Sequence, residues 1–128
     1  MTVLVGCSCN KEPLTYSVRD MYYMGTNIEP TLEEVGISNN EPGRRVLCSN
    51  YGEGCVVGSG KRVKVRKVEM LVIMFKDEKS ARKEARRIGQ WYAKNWLLDD
   101  VTNEPVLESF VQEAFKAKPG LNKNEIKK

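Results

Sequence analysis

Histidine is absent from the chain, which excludes serine-histidine triads, histidine general acid-base catalysis, histidine-ligated metals and proximal haem ligation together. Long hydrophobic runs are missing too. The longest wholly apolar stretch is Met70-Leu71-Val72-Ile73-Met74-Phe75, six residues where a membrane-spanning helix needs roughly twenty. Excess charge of one sign is scarce: 21 basic against 17 acidic residues leave +4. The last thirteen residues carry five lysines against Glu125, so this imbalance sits in the tail and the rest of the chain is balanced. A basic balance points to polyanions only where the cations gather on a folded face.

What is present is ordinary for a globular protein: 128 residues, 41% hydrophobic and 30% charged, enough for one core. The expected organisation is a single domain over residues 1–118 followed by a flexible basic tail, 119–128. Leu4-Val5-Gly6-Cys7 fits the pattern of a bacterial lipoprotein cleavage site, but Met1-Thr2-Val3 supplies neither a basic start nor an apolar stretch of about 7–15 residues. The expected compartment is therefore the cytoplasm. The alternative is the bacterial envelope, if the chain lacks its native signal peptide.

Along the chain, Thr2 to Cys7 reads as a buried first strand, and Leu14 to Met24 as a loosely patterned second one. Pro30, the acids that follow it and Gly36 suggest one or two helical turns over residues 31–36. Residues 38–43 form a turn cluster. Short antiparallel strands are expected at 45–48, 55–57 and 62–68, and an apolar central strand at 70–75. Asp77 can cap a helix running to about Lys94, and Trp96-Leu97-Leu98 can form a short strand. A last helix, capped by Thr102 or Asn103, carries the apolar pairs Val106/Leu107, Phe110/Val111 and Ala114/Phe115. Strands first and then strand-helix-strand-helix imply an α+β domain with an antiparallel or mixed sheet and two main helices, both from the C-terminal half, on one face.

Four groups invite chemistry. Cys7, Cys9, Cys48 and Cys55 are weak candidates for a metal, because one and six intervening residues depart from the two that zinc knuckles favour. Cys48 and Cys55 flank a six-residue connection and can form a disulfide. Gly58-Ser59-Gly60-Lys61 reads as a turn, since Cys55 occupies the first glycine position of a phosphate-binding loop and Arg62 that of its Ser or Thr. Asp99, Asp100 and Glu104 make the one compact acidic group, which charge near a helix N-terminus accounts for in part.

The remaining group is the basic strand. Arg62, Lys64 and Arg66 alternate with Val63 and Val65, with Lys61 and Lys67 beside them, and ordered cations at strand spacing suit a phosphate backbone or an acidic protein. The arginines at 82, 86 and 87 can extend the patch. The expectation is a non-enzymatic binding or regulatory module, with no cofactor, that uses the basic strand for an acidic protein or nucleic acid. The alternatives are an exported or lipid-anchored envelope domain with a Cys48–Cys55 disulfide, and a thiol or metal protein.

Overall fold

The computed structural model describes residues 13–121. The expected first strand, Cys7 and Cys9 lie outside these residues. Three helices, α1 (Val18–Ile28), α2 (Glu78–Ile88) and α3 (Pro105–Phe115), accompany six strands: β1 (Glu33–Glu34), β2 (Lys61–Val65), β3 (Val68–Met74), β4 (Trp91–Ala93), β5 (Trp96–Asp99) and β6 (Lys118–Pro119). The sheet order is β1-β2-β3-β5-β4-β6 with every pairing antiparallel, so the α+β class with an antiparallel sheet is observed.

The sheet is built around a central pair whose residues face alternate sides. Val68, Met70, Val72 and Met74 of β3 join Trp96 and Leu98 of β5 in one apolar cluster, with Phe110, Val111 and Phe115 of α3 and Met21 of α1. Ile73, Phe75 and Leu97 point the other way and meet Ala81 and Ala85 of α2. The two C-terminal-half helices therefore lie on opposite faces, where the sequence reading placed both on one. The cause is the length of apolar β3, which needs cover on both sides, and the small residues of α2, which let that helix sit close over β4 and β5.

Local chemistry explains the other differences. α1 forms where an aromatic strand was expected because Ser17 and Asp20 make a capping box: Ser17 Oγ accepts from Asp20 N at 3.0 Å and Asp20 Oδ2 accepts from Ser17 N at 2.8 Å. The segment after Pro30 does not form helical turns. Its Glu33 and Glu34 pair instead with Lys64 and Val63, satisfying the edge of β2, which one isolated turn of helix cannot do. In place of the strands expected at 45–48 and 55–57 there are a 3₁₀ turn at Cys48–Asn50 and a single bridge from Cys55 to Phe75.

α2 stops at Ile88 rather than near Lys94, because Gly89 takes the left-handed conformation (φ 70°) and its N–H closes on Ala85 and Arg86. The residues beyond it make the β4–β5 hairpin. The β2–β3 hairpin turns through Arg66 and Lys67, both at positive φ (50° and 73°), as the tight two-residue turn that suits strand twist requires. Beyond Lys118 the chain stays engaged: Pro119 pairs with Trp91, and the Gly120 N–H donates to the Gln90 carbonyl at 2.8 Å. Gly120 also lies so close to α2 that a Cβ there would fall 2.4 Å from the Ala85 carbonyl carbon.

Candidate binding site: the basic strand and the cationic face of α2

Strand β2 and the β2–β3 turn carry the expected cations, and the fold gives three of them carboxylate partners. Arg62 donates to the Arg44 carbonyl at 2.9 and 3.2 Å and pairs with Glu69 at 3.3 Å, with its side chain only 17% exposed. Lys61 lies 3.7 Å from Glu34, and Arg66 Nε donates to Glu29 Oε1 at 2.8 Å. Lys64 sits in register between Glu33 and Glu69. Lys67 is exposed at the hairpin tip.

The acids register these contacts. The Thr31 hydroxyl and the Arg66 guanidinium hold Glu29 below the usual carboxylate range. Burial works to raise Glu69, yet the bonds from Arg44 and Arg62 leave it lowered. The five residues do not share one face either. Val63 packs into the α1/α3 cluster, which puts Lys61 on that side and leaves Arg62 and Lys64 on the side of α2. Three of the five residues, Lys61, Arg62 and Arg66, are thus tied to carboxylates of the fold.

A second cationic group lies on α2. Each exposed position of this helix is basic: Lys79, Arg82, Lys83, Arg86 and Arg87. Of its two carboxylates, Glu84 is buried and accepts from Arg87 Nε at 2.8 Å, and Glu78 is partly covered in the first turn. The Arg87 bond lowers Glu84 most, burial opposes it, and the Gly52 backbone lowers it further. Residues three and four apart share a helix face, so Lys79, Arg82, Lys83 and Arg86 line about 10 Å of helix axis. The sequence singled out part of this group only as an addition to β2. The signal that identifies it is the apolar stripe of Ala81, Ala85 and Ile88, which leaves every outward position of α2 to a cation.

The acidic group separates. Asp99 accepts the Tyr51 hydroxyl at 2.7 Å, and Asp99 Oδ1 accepts from the Asp100 backbone N–H at 2.8 Å. Glu104 sits at the start of α3 with no side-chain capping bond, so the helix takes neither Thr102 nor Asn103 as its N-cap. Burial, followed by the Asp99 charge, raises Asp100, while Arg62 lowers it. A carboxyl raised by folding is destabilising when ionised, and the penalty disappears as pH falls and the group takes its proton. Asp100 also has φ 63°, a conformation that asparagine tolerates well. Asp100 is exposed, so solvent screens most of this penalty, and Asp100→Asn is expected to raise Tm at pH 7 only slightly, by about 1 °C, with the gap closing below about pH 4. Calorimetry across that range checks it, and an equal Tm at pH 7 would contradict it.

Cys48 and Cys55 are joined in a disulfide with Cα atoms 5.6 Å apart. It closes the loop that lays Val46, Cys48 and Tyr51 against the α2-side cluster. The pairing that the spacing allows is present, although it spans a 3₁₀ turn rather than a hairpin. Closing a loop of this length contributes about 2–3 kcal/mol in the chain-entropy model. Replacing both cysteines with serine is expected to lower Tm by about 8–10 °C, measured by circular dichroism without reductant. An unchanged Tm would mean that the loop is held by its packing alone.

Among the described residues, no group of three or more Cys, Asp or Glu side chains is arranged to hold a metal ion, and no helix is long and apolar enough to cross a membrane. The fold and site define a small α+β domain with a six-stranded antiparallel sheet and a cationic helix on one face. No family model, curated protein or solved structure matches the chain.

Proposed function

We propose that this domain is a non-enzymatic binding module for a polyanion, a nucleic acid or an acidic protein surface, and that α2 is its main contact. The observation that carries this reading is that all five exposed positions of α2 are Lys or Arg while its one central carboxylate, Glu84, is buried. Lys64, on the same side of the sheet, is an accessory contact. A helix presenting cations on one face engages phosphates or carboxylates with no demand on their sequence.

The test compares fluorescence anisotropy of a labelled DNA duplex and of labelled polyglutamate with two variants. One is Arg82→Glu/Lys83→Glu/Arg86→Glu on α2; the other is Lys64→Gln/Lys67→Gln at the β2–β3 hairpin. The α2 variant is expected to lose capture of the preferred polymer, and the hairpin variant to lose no more than a few-fold. Equal binding by wild type and the α2 variant would overturn the proposal. Arg62 is unsuitable for this test because its bonds to Arg44 and Glu69 are part of the fold.

The disulfide favours a second reading, in which the module works in an oxidising compartment as an exported or lipid-anchored envelope domain, since reducing cytosols rarely retain such bonds. Intact mass of freshly isolated, alkylated protein tests it. Two blocked thiols at 48 and 55 support it, and alkylation of both contradicts it.

A further inference from the structure

On the sheet face that carries α1 and α3, a cavity of about 190 Å³ opens beside strands β2 and β3. We infer that this cavity binds a small uncharged apolar molecule, about the size of a substituted benzene ring. The site is on the opposite side of the sheet from α2 and does not depend on the polyanion reading.

The cavity follows from how α1 docks. That helix makes its main contacts with α3 rather than with β2 and β3, so it leaves space over the apolar residues of those two strands. The strands contribute Val63 and Val72 to the lining, α1 contributes Met21, α3 contributes Phe110, and the segment before β1 contributes Leu32. Gly25 lets Leu32 approach α1, since a Cβ there would fall 2.6 Å from Leu32 Cδ2. Well-packed interiors keep few spaces larger than a water molecule, and an apolar ligand restores the dispersion contacts that this one lacks.

The polar groups at the cavity argue for a neutral ligand. Lys61 and Glu34 share the Val63 side of the sheet and pair with each other at 3.7 Å, one charge of each sign. Glu33 is exposed and in register with Lys64, on the other side of the strand pair. Tyr22 is exposed, and the Trp96 Nε1–H is committed to the Tyr16 carbonyl, so neither holds a buried polar group in want of a partner. The remaining lining is apolar, and an ion seated among these side chains gives up hydration without gaining a partner. Apolar cavities of about 150 Å³ stay dry and accept benzene, so the volume here suits one substituted ring. Met21 supplies a flexible thioether that adapts to its shape.

The probe is toluene, with benzoate and benzylammonium as charged controls on the same ring, followed through the methyl NMR signals of the whole chain. Toluene is expected to shift Met21, Leu32 and Val63 saturably, to leave Ile73 and Leu97 of the α2-side cluster unmoved, and to bind at least ten-fold more tightly than either ion. Val63→Phe fills the cavity from a partly exposed strand position that suits an aromatic residue, and is expected to weaken toluene at least ten-fold. Circular dichroism verifies the fold of that variant, and if it misfolds, the wild-type comparison of toluene with the two ions still decides. Shifts that never saturate, shifts of equal size on both faces of the sheet, an ion that binds as well as toluene, or equal affinity in folded Val63→Phe would overturn the inference.

Discussion

Trp96→Ala is expected to remove most of the stability of the domain, lowering Tm by about 15 °C or preventing folding at growth temperature. Trp96 is 1% exposed and occupies β5 in the middle of the sheet, within the cluster shared with Phe110 and Phe115 of α3 and Met21 of α1. Deleting a buried indole costs about 3–5 kcal/mol from lost transfer energy and the cavity left behind. The Trp96 Nε1–H also donates to the Tyr16 carbonyl at 2.8 Å, and the Tyr16 N–H donates to Asn95 Oδ1 at 2.7 Å, so the indole anchors the chain entering α1. Trp96→Phe retains much of the packing but orphans that carbonyl, and is expected to cost about 1–3 kcal/mol. Chemical denaturation of the three proteins checks the order. A Trp96→Ala protein within 1 kcal/mol of wild type would contradict the two-sided core.

The second large effect concerns binding. If four α2 cations displace counterions from a duplex, affinity falls by about 100-fold between 50 and 200 mM salt. Reversing Arg82, Lys83 and Arg86 changes three of those contacts from attractive to repulsive, so at low salt it is expected to weaken binding by at least 100-fold. Arg87 is left unchanged because its bond to buried Glu84 is structural. The thermal stability of the triple variant should stay within a few degrees of wild type, since all three side chains are exposed. A large loss of stability in parallel would transfer the effect from the interface to the fold.

Much of this architecture is legible in the sequence, and the parts that are not have identifiable causes. Met70 to Phe75 announces a strand covered on both faces because no polar residue interrupts it, and the apolar pairs of α3 set that helix by period alone. α1 is hidden because Tyr22, Tyr23 and Val18 give it a strand-like composition, while its start depends on the single spacing from Ser17 to Asp20. Helix-forming residues around Gly89 obscure the end of α2, and with it β4. Lys61 to Val65 form a strand as expected, whereas Arg66 and Lys67 form the hairpin turn, and the alternation says nothing of Glu29, Glu34 and Glu69, which come from elsewhere to meet these cations. Compensation of charge is a tertiary property that strand alternation does not reveal.

The most direct measurement of the central claim is a salt titration of duplex binding by wild type, the α2 triple variant and the Lys64→Gln/Lys67→Gln variant. A slope of log K against log salt of about −3 to −4 is expected for wild type and for the hairpin variant, and a slope near zero for the α2 variant. A wild-type slope near zero, or one that survives reversal of Arg82, Lys83 and Arg86, would contradict a binding role for α2.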